Sequence, residues 1–542
     1  MFAPDSLSLR IAIDQLMSAG DDNYAIWVLE SPFPGGYVHH DCLWDEQLEG
    51  IWRSWQEIFS LRGLPQVPHV PSAYVPQFVL EDTLAAMLPN TEQPGSYTSR
   101  LMQGMGMSLW RWLFADAIQQ SLERSIGIAM GQDRPLRLRL ELRSPKLISL
   151  PWEVMQSQAG RPAVSLSQKI LFSRTTSAVD PLPPFTLDDS LRILLVLGQD
   201  EPGEDSGERP RRDRDPVLQL QDEAQVLKNI LEQGTSGIGQ GAFSKVYCHV
   251  HTLIEPDPAA VVTELESGHY NVFFYAGHGI PAPDGGLLFV RPGMPLNGTE
   301  LAQVLTRCRI KLAVFNTCWG AQPDQRGRDI IPRSSLAEVL LHHGVPAVVA
   351  MRDSIADEEA LSFIQLFAQL LAERKPVDLA VAIARQHLLT LYHFNQPAWT
   401  LPVLYMHPDF DGSILEPLAE DVTRLPGEER PRQGVALRCV ENPTALWPIQ
   451  GGVMYIGRLP DNDLVISEPW VSSRHAEIFC RNVASADAGQ PTYFLRDLSR
   501  FGTYYYQDGQ WHHVHRNEVP LDLGMRFRFG SQEGRLLEFV IE

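Results

Sequence analysis

A chain of 542 residues is too long for one core and predicts about three domains of ~100–200 residues each. Its 44 % hydrophobic and 20 % charged residues exclude a disordered polymer. The formal charge of -21 argues against non-specific binding to nucleic acid or to an anionic membrane, either of which needs a net basic surface.

The N-terminal stretch MFAPDSLSLR has neither a basic n-region nor an apolar h-region, and no apolar run approaches the ~20 residues of a membrane span. A cytoplasmic location is expected. The six cysteines are scattered without a CxxC pair, which suits a reducing compartment, offers no zinc framework and leaves cysteine chemistry to a single thiol.

In chain order, residues 1–188 read as an α+β region with helical text such as SLWRWLFADAIQQSLERSI and a few strands, its tryptophans belonging to a core. HHDC (39–42) lacks the separated ligands of a tetrahedral zinc site and reads as exposed loop histidines, as does WHHVH (511–515). No metal and no cofactor is expected. The break DPLPPFTLDD (180–189) closes this region, and LAEDVTRLPGEERPRQG (418–434) marks a linker over 413–433.

Residues 189–412 alternate β-rich and helical text. Apolar runs at LRILLVL (191–197), KVYCHVH (245–251), NVFFYAG (271–277), KLAVFNT (311–317), AVVAM (347–351) and PVLYM (402–406) are separated by segments of helical period such as EEALSFIQLFAQLLAER. This alternation predicts a mostly parallel sheet of about six strands with helices on both faces. The polar run DEPGEDSGERPRRDRDP (200–216) reads as a long exposed loop. GIGQGAFSKVY (237–247) imitates the glycine loop of a kinase, but no VAIK-like lysine, HRD or DFG follows, so it reads as a surface turn entering a strand.

The chemistry lies at two strand ends. NVFFYAG ends in His278-Gly279, and KLAVFNT ends in Cys318-Trp-Gly320. Ligands of open α/β sheets bind beyond the carboxyl ends of strands, and if these two strands are neighbours, ~4.8 Å apart, His278 and Cys318 emerge side by side. An imidazole beside a thiol raises its thiolate fraction and can protonate a leaving amine. Gly279 lets a peptide approach the backbone, and its N–H with that of Cys318 suits an oxyanion hole.

FFYAGHG, VFNTCWGA, HHGVPAVVAMRDSIADEEA, AVAIARQHLL and WTLPVLYMHP, in that order, resemble a caspase-like cysteine peptidase of the CHAT domain type; LWRWLF, RLRLEL, LISLPWEVM and KILFSR resemble the preceding half, so the resemblance spans about residues 100–412. It implies peptide-bond cleavage with Cys318 as nucleophile and His278 as general acid/base. Asn316-Thr317 before the cysteine departs from the caspase QACxG signature and removes the case for cleavage after aspartate. Asp353 and Asp357, with Glu358 and Glu359, fit two readings: a substrate pocket for a basic side chain, or first-turn charges of the following helix. The loop PDQRGRDIIPRS (323–334) borders the site in such enzymes.

Residues 434–542 have short alternating strands and contain YIGRLPDNDLVI, VSSRHAEI, FLRDLSRFGTYYY and LDLGMRFRFGSQEGRLLEFVI, an order that resembles a forkhead-associated (FHA) domain, a β-sandwich that binds phosphothreonine peptides. The resemblance implies Arg458 as the guanidinium fork for the phosphate, Ser472 as a hydroxyl donor and Ser473 as its assistant. His475 fixes the serine loop, and Gly502-Thr503, which matches the end motif, is expected at the phosphopeptide site. Phe501 departs from the asparagine many members carry.

The expected protein is therefore α/β and caspase-like, with a C-terminal FHA sandwich. It is a cysteine endopeptidase acting on a protein or peptide, targeted or activated through a phosphothreonine-containing protein and hence lying downstream of a Ser/Thr kinase. The alternative is a non-catalytic signalling adaptor in which the caspase fold is a scaffold; the presence of both His278 and Cys318 favours the enzyme.

Overall fold

The structure, a computed structural model, describes residues 7–16, 19–20, 22–33, 38–59, 97–182, 187–198, 216–234, 246, 248–317, 325–326, 329–330, 335–352, 357–392, 397–416, 435–442, 445–449, 453–459, 462–481, 492–507 and 509–541. They form two compact units, Met1–Glu416 and Pro417–Glu542.

The first unit is built on one sheet. Its strands are β1 (Ser8–Gln15), β2 (Asn23–Glu30), β3 (Val38–Leu43), β4 (Leu136–Leu142), β5 (Ile170–Thr175), β6 (Leu191–Gly198), β7 (Cys248–Ile254) and β8 (Val272–Gly277). After the short strands β9 (Gly279–Ile280), β10 (Leu287–Arg291) and β11 (Met294–Asn297) come β12 (Leu312–Asn316), the small hairpin β13 (Gln325–Arg326) and β14 (Asp329–Ile330), then β15 (Ala347–Met351) and β16 (Pro402–Met406). The 11-stranded order is β3-β2-β1-β4-β5-β16-β15-β12-β8-β6-β7.

The six strand segments expected from the sequence lie side by side as β7-β6-β8-β12-β15-β16, the first five mutually parallel and β16 antiparallel to β15. The sheet does not stop there. β5 pairs with β16 through Tyr405↔Arg174, so the five strands of the N-terminal region extend the same sheet. Their text gives no sign of this because alternation reveals a strand but not its neighbour.

The strands near the centre are apolar throughout because both faces are covered. Val272, Phe274, Leu312 and Val314 face one core with Leu227, Phe363, Phe367 and Leu388. Phe273, Tyr275, Ala313 and Phe315 face the other with Val261, Leu301, Leu305 and Leu340. HHDC is not a loop but β3, an edge strand in which His39 pairs with Asp41 at 2.8 Å. WHHVH likewise lies largely on an edge strand, Gln510–Val514. Their polar side chains hide the alternation that marks a strand.

The second unit is all-β. A six-stranded and a five-stranded sheet enclose Leu437, Ile456, Ile478, Leu495, Phe527 and Phe539. Among the described residues of the whole chain, no helix is long and apolar enough to cross a membrane.

Candidate functional sites

In the first unit β8 and β12 are parallel neighbours in the register Val272↔Leu312 to Ala276↔Asn316. Each strand is followed by two residues of the expected site, Gly277-His278 and Thr317-Cys318. The end of β8 is built for close approach: Gly277 has φ +152°, and a Cβ there would lie 2.1 Å from the Gly198 carbonyl oxygen at the end of β6. Only glycine fits, so β8 and β6 finish in contact.

The side chain of His278 is exposed while its backbone is held. The His278 carbonyl accepts the Phe289 N–H at 3.0 Å and lies 2.8 Å from the Tyr275 hydroxyl, which is also 2.9 Å from the Phe289 carbonyl. Tyr275, fully buried, was not among the expected site residues; its place in FFYAG reads as core, which it also is. Gly279 stands opposite Leu288 in the β9–β10 pair. Since 278 and 289 form the hydrogen-bonded pair, 279 and 288 form the non-bonded one, and the Gly279 N–H points away from the ladder. A Cβ at Gly279 would lie 2.7 Å from Thr317 Oγ1, the hydroxyl of the residue before Cys318. Cys318 and Asp353 lie outside the described residues, as does the side chain of Asp357, which opens the helix Asp357–Ala372. The 237–247 glycine stretch apart from Val246 and most of the 200–216 loop are outside them too.

In the second unit Ser472 is the centre of a small network. Its carbonyl accepts the Arg458 N–H at 2.9 Å, its hydroxyl oxygen accepts the Arg500 N–H at 3.1 Å, and its own N–H donates to His475 Nδ1 at 3.0 Å. Among the described residues no acceptor takes the serine O–H, which leaves it for a ligand. Arg458 and Arg500 are both exposed, and neither forms an ion pair among the described residues. Arg500 was missed by sequence reasoning, although it adjoins the Phe501 departure; what sets it beside Ser472 is a backbone bond across 28 residues, invisible in one-dimensional text. Ser473 is exposed, and its carbonyl accepts from Leu459 N–H and Asn462 Nδ2.

His475 is fully buried. With Nδ1 accepting from Ser472, Nε2–H donates to the Gly502 carbonyl at 3.2 Å. Burial pushes the imidazole below its ordinary range, outweighing the nearby Asp497 carboxylate and the Gly502 carbonyl. Thr503, expected at the phosphopeptide site, turns inward: it is fully buried and donates to Asp497 Oδ2 at 2.7 Å. Gly502 is buried at φ +81°, where a Cβ would lie 2.1 Å from His513 Nε2. Both hold the loop rather than line it.

A histidine whose folded pKa is lowered contributes stability above the unfolded value of ~6.5, and that contribution is lost as pH falls. Protonating Nδ1 also removes the acceptor for Ser472 N–H. Amide exchange of the 471–475 segment, corrected for intrinsic rates, is expected to accelerate below about pH 6 in the wild type. Exchange in that segment that stays flat from pH 8 to 5 would count against His475 as the clasp.

A family model described as CHAT domain matches residues 103–410, and one described as FHA domain matches residues 454–530. No curated protein matches the chain. Among solved structures, it is similar to the yeast Dun1 FHA domain in complex with a doubly phosphorylated peptide derived from Rad53, at 22 % identity, covering 22 % of this chain and 83 % of that one with a TM-score of 0.17. It is also similar to Mycobacterium tuberculosis EmbR in complex with a low-affinity phosphopeptide, at 20 % identity over 34 % of this chain and 47 % of that one, TM-score 0.17. A third is the Slr1951 protein from Synechocystis, at 19 % identity over 20 % and 97 %, TM-score 0.15.

Proposed function

Because the chain belongs to the CHAT domain family across residues 103–410 and carries an FHA domain over 454–530, we propose that it is a caspase-like cysteine endopeptidase directed or switched on by a phosphothreonine-containing protein. The observation that carries the peptidase half is the β8–β12 register, in which Ala276 and Asn316 are partners and His278 and Cys318 each follow two residues later.

Cys318 passes its thiol proton to His278. The thiolate attacks the carbonyl carbon of the scissile peptide, forming a C–S bond and an oxyanion. The Gly279 N–H, free of the β9–β10 ladder, donates to that oxyanion together with the Cys318 N–H. The imidazolium returns its proton to the leaving nitrogen as the C–N bond breaks. Water, deprotonated by His278, then hydrolyses the thioester and restores the thiol. The fixed carbonyl of His278 keeps the ring's backbone in place through this cycle. Asp353 and Asp357 belong to this proposal as the acidic lining of a pocket for a basic side chain.

In the FHA domain, Arg458 takes the phosphate as a bidentate fork and Ser472 donates its free O–H to the same group, with Ser473 beside it. His475, Gly502 and Thr503 hold these loops. A Ser/Thr kinase upstream supplies the phosphothreonine.

The dyad is tested without any substrate by the pH dependence of Cys318 alkylation, read by mass spectrometry of the Cys318 peptide. His278→Ala is expected to move the midpoint up toward the ~8.5 of an unassisted thiol. An identical midpoint in wild type and variant would contradict the pairing.

A further inference from the structure

The phosphate-binding centre of the FHA domain is flanked by two large apolar side chains that face water. Leu459, next to Arg458, is 49 % exposed, and Phe501, next to Arg500, is 51 % exposed. Single exposed apolar residues are ordinary on any surface. These two differ in that each adjoins an arginine whose backbone N–H donates to Ser472. Leu459 N–H donates to the Ser473 carbonyl at 3.3 Å, and Asn462 Nδ2 bridges the Leu459 and Ser473 carbonyls at 2.9 Å each. On the other side, the Phe501 carbonyl accepts from His513 Nε2 at 3.0 Å, and the following Gly502 N–H donates to Ser499 Oγ at 2.7 Å. Both loops are therefore pinned at the backbone, with their apolar side chains held outward.

The charge on the surface matches the geometry. The backbone N–H groups of Arg458 and Arg500 donate to the Ser472 carbonyl and hydroxyl oxygen, Arg458 Nε donates to the Val471 carbonyl at 3.3 Å, and no carboxylate among the described residues neutralises either guanidinium. Each arginine tied to Ser472 is followed in the chain by an exposed apolar residue, Leu459 after Arg458 and Phe501 after Arg500. A dianion at the centre would be met by two guanidinium groups and one O–H, while the residues beside it would meet Leu459 on one side and Phe501 on the other.

Resting on the phosphothreonine reading given above, we infer that the partner's recognition segment is a phosphothreonine set between two large apolar residues, with Arg500 as a second guanidinium on the phosphate and Leu459 and Phe501 as the flanking contacts. The phosphate supplies attraction, and the apolar pair supplies selection among phosphorylated sites. Covering roughly 60 Å² of apolar surface on each side is worth about tenfold in affinity.

The test uses the full chain in the Cys318→Ala background, so that no ligand is consumed, and fluorescence anisotropy with a peptide series. The series carries phosphothreonine flanked by Leu/Leu, Leu/Ser, Ser/Leu or Ser/Ser, beside the unphosphorylated Leu/Leu peptide. Each leucine is expected to tighten binding about tenfold. Phe501→Ser should erase the gain on one side only and Leu459→Ser the gain on the other, with Ser/Ser binding unchanged by either. Arg500→Ala should weaken all four phosphopeptides alike. Equal affinity across the four, or gains that survive both substitutions, overturns the inference while leaving phosphothreonine binding intact. If no phosphopeptide binds more tightly than its unphosphorylated form, the phosphothreonine reading falls and this one with it.

Discussion

Replacing Glu153 by alanine is expected to destabilise the first unit by about 3–5 kcal/mol, the range for removing one partner of a buried ion pair. Glu153 and Arg174 are both without solvent exposure. The pair is bidentate, with Arg174 Nε donating to Oε1 at 3.0 Å and Nη2 to Oε2 at 2.7 Å. Two further donors of Arg174 reach the carbonyls of Ile148 and Leu150, so one guanidinium closes the loop that precedes Glu153. Burial by itself raises the carboxyl, yet the charge and hydrogen bonds of Arg174, helped by Arg385 and Arg352, hold it below the ordinary range. Without Glu153, the buried Arg174 guanidinium loses the carboxylate that pairs with it, and so do two further buried arginines whose charge acts on Glu153, Arg352 and Arg385.

The position of the pair magnifies the effect. Arg174 sits opposite Tyr405 at the junction where β5 meets β16, the seam between the N-terminal strands and the strands that carry the candidate site. Urea denaturation of Glu153→Ala should show a lowered midpoint. The double replacement Glu153→Leu with Arg174→Leu should cost less than the sum of the two single changes, because an apolar pair leaves no stranded charge. A single Glu153→Ala cost below about 1 kcal/mol would mean that solvent reaches the cluster after all.

Much of the candidate peptidase site was legible because its chemistry sits at the ends of strands whose apolar text is unmistakable. FFYAG and LAVFN could only be buried strands, and His278 follows one of them directly. Their adjacency required the fold. So did the continuation of the sheet through β16, since PVLYM looks the same whether one edge of the strand is paired or both are. In the FHA domain the loops bearing Arg458, Ser472 and Phe501 were legible from motif text. Arg500 was not, because its tie to Ser472 joins residues distant in sequence. The motif text places Thr503 at the site, whereas its hydroxyl satisfies the buried Asp497; a motif position identifies a residue without showing which way its side chain turns.

The largest effect on activity is expected from the nucleophile. In a thiolate mechanism, attack on the carbonyl carbon has no substitute within the site, so Cys318→Ala should lower cleavage by about ten-thousandfold or more, as loss of a nucleophile does in other covalent peptidases. The substitution removes one sulfur atom, and a urea midpoint equal to that of the wild type separates chemistry from folding. The most direct measurement is therefore cleavage of a diverse peptide library by the full chain, read by mass spectrometry, for wild type and Cys318→Ala, each with and without a phosphothreonine peptide mixture. A peptidase governed by its FHA domain predicts cuts at a common residue type that vanish in the variant and increase with phosphopeptide. Cuts that persist unchanged in Cys318→Ala, or no cuts in any arm, would contradict it.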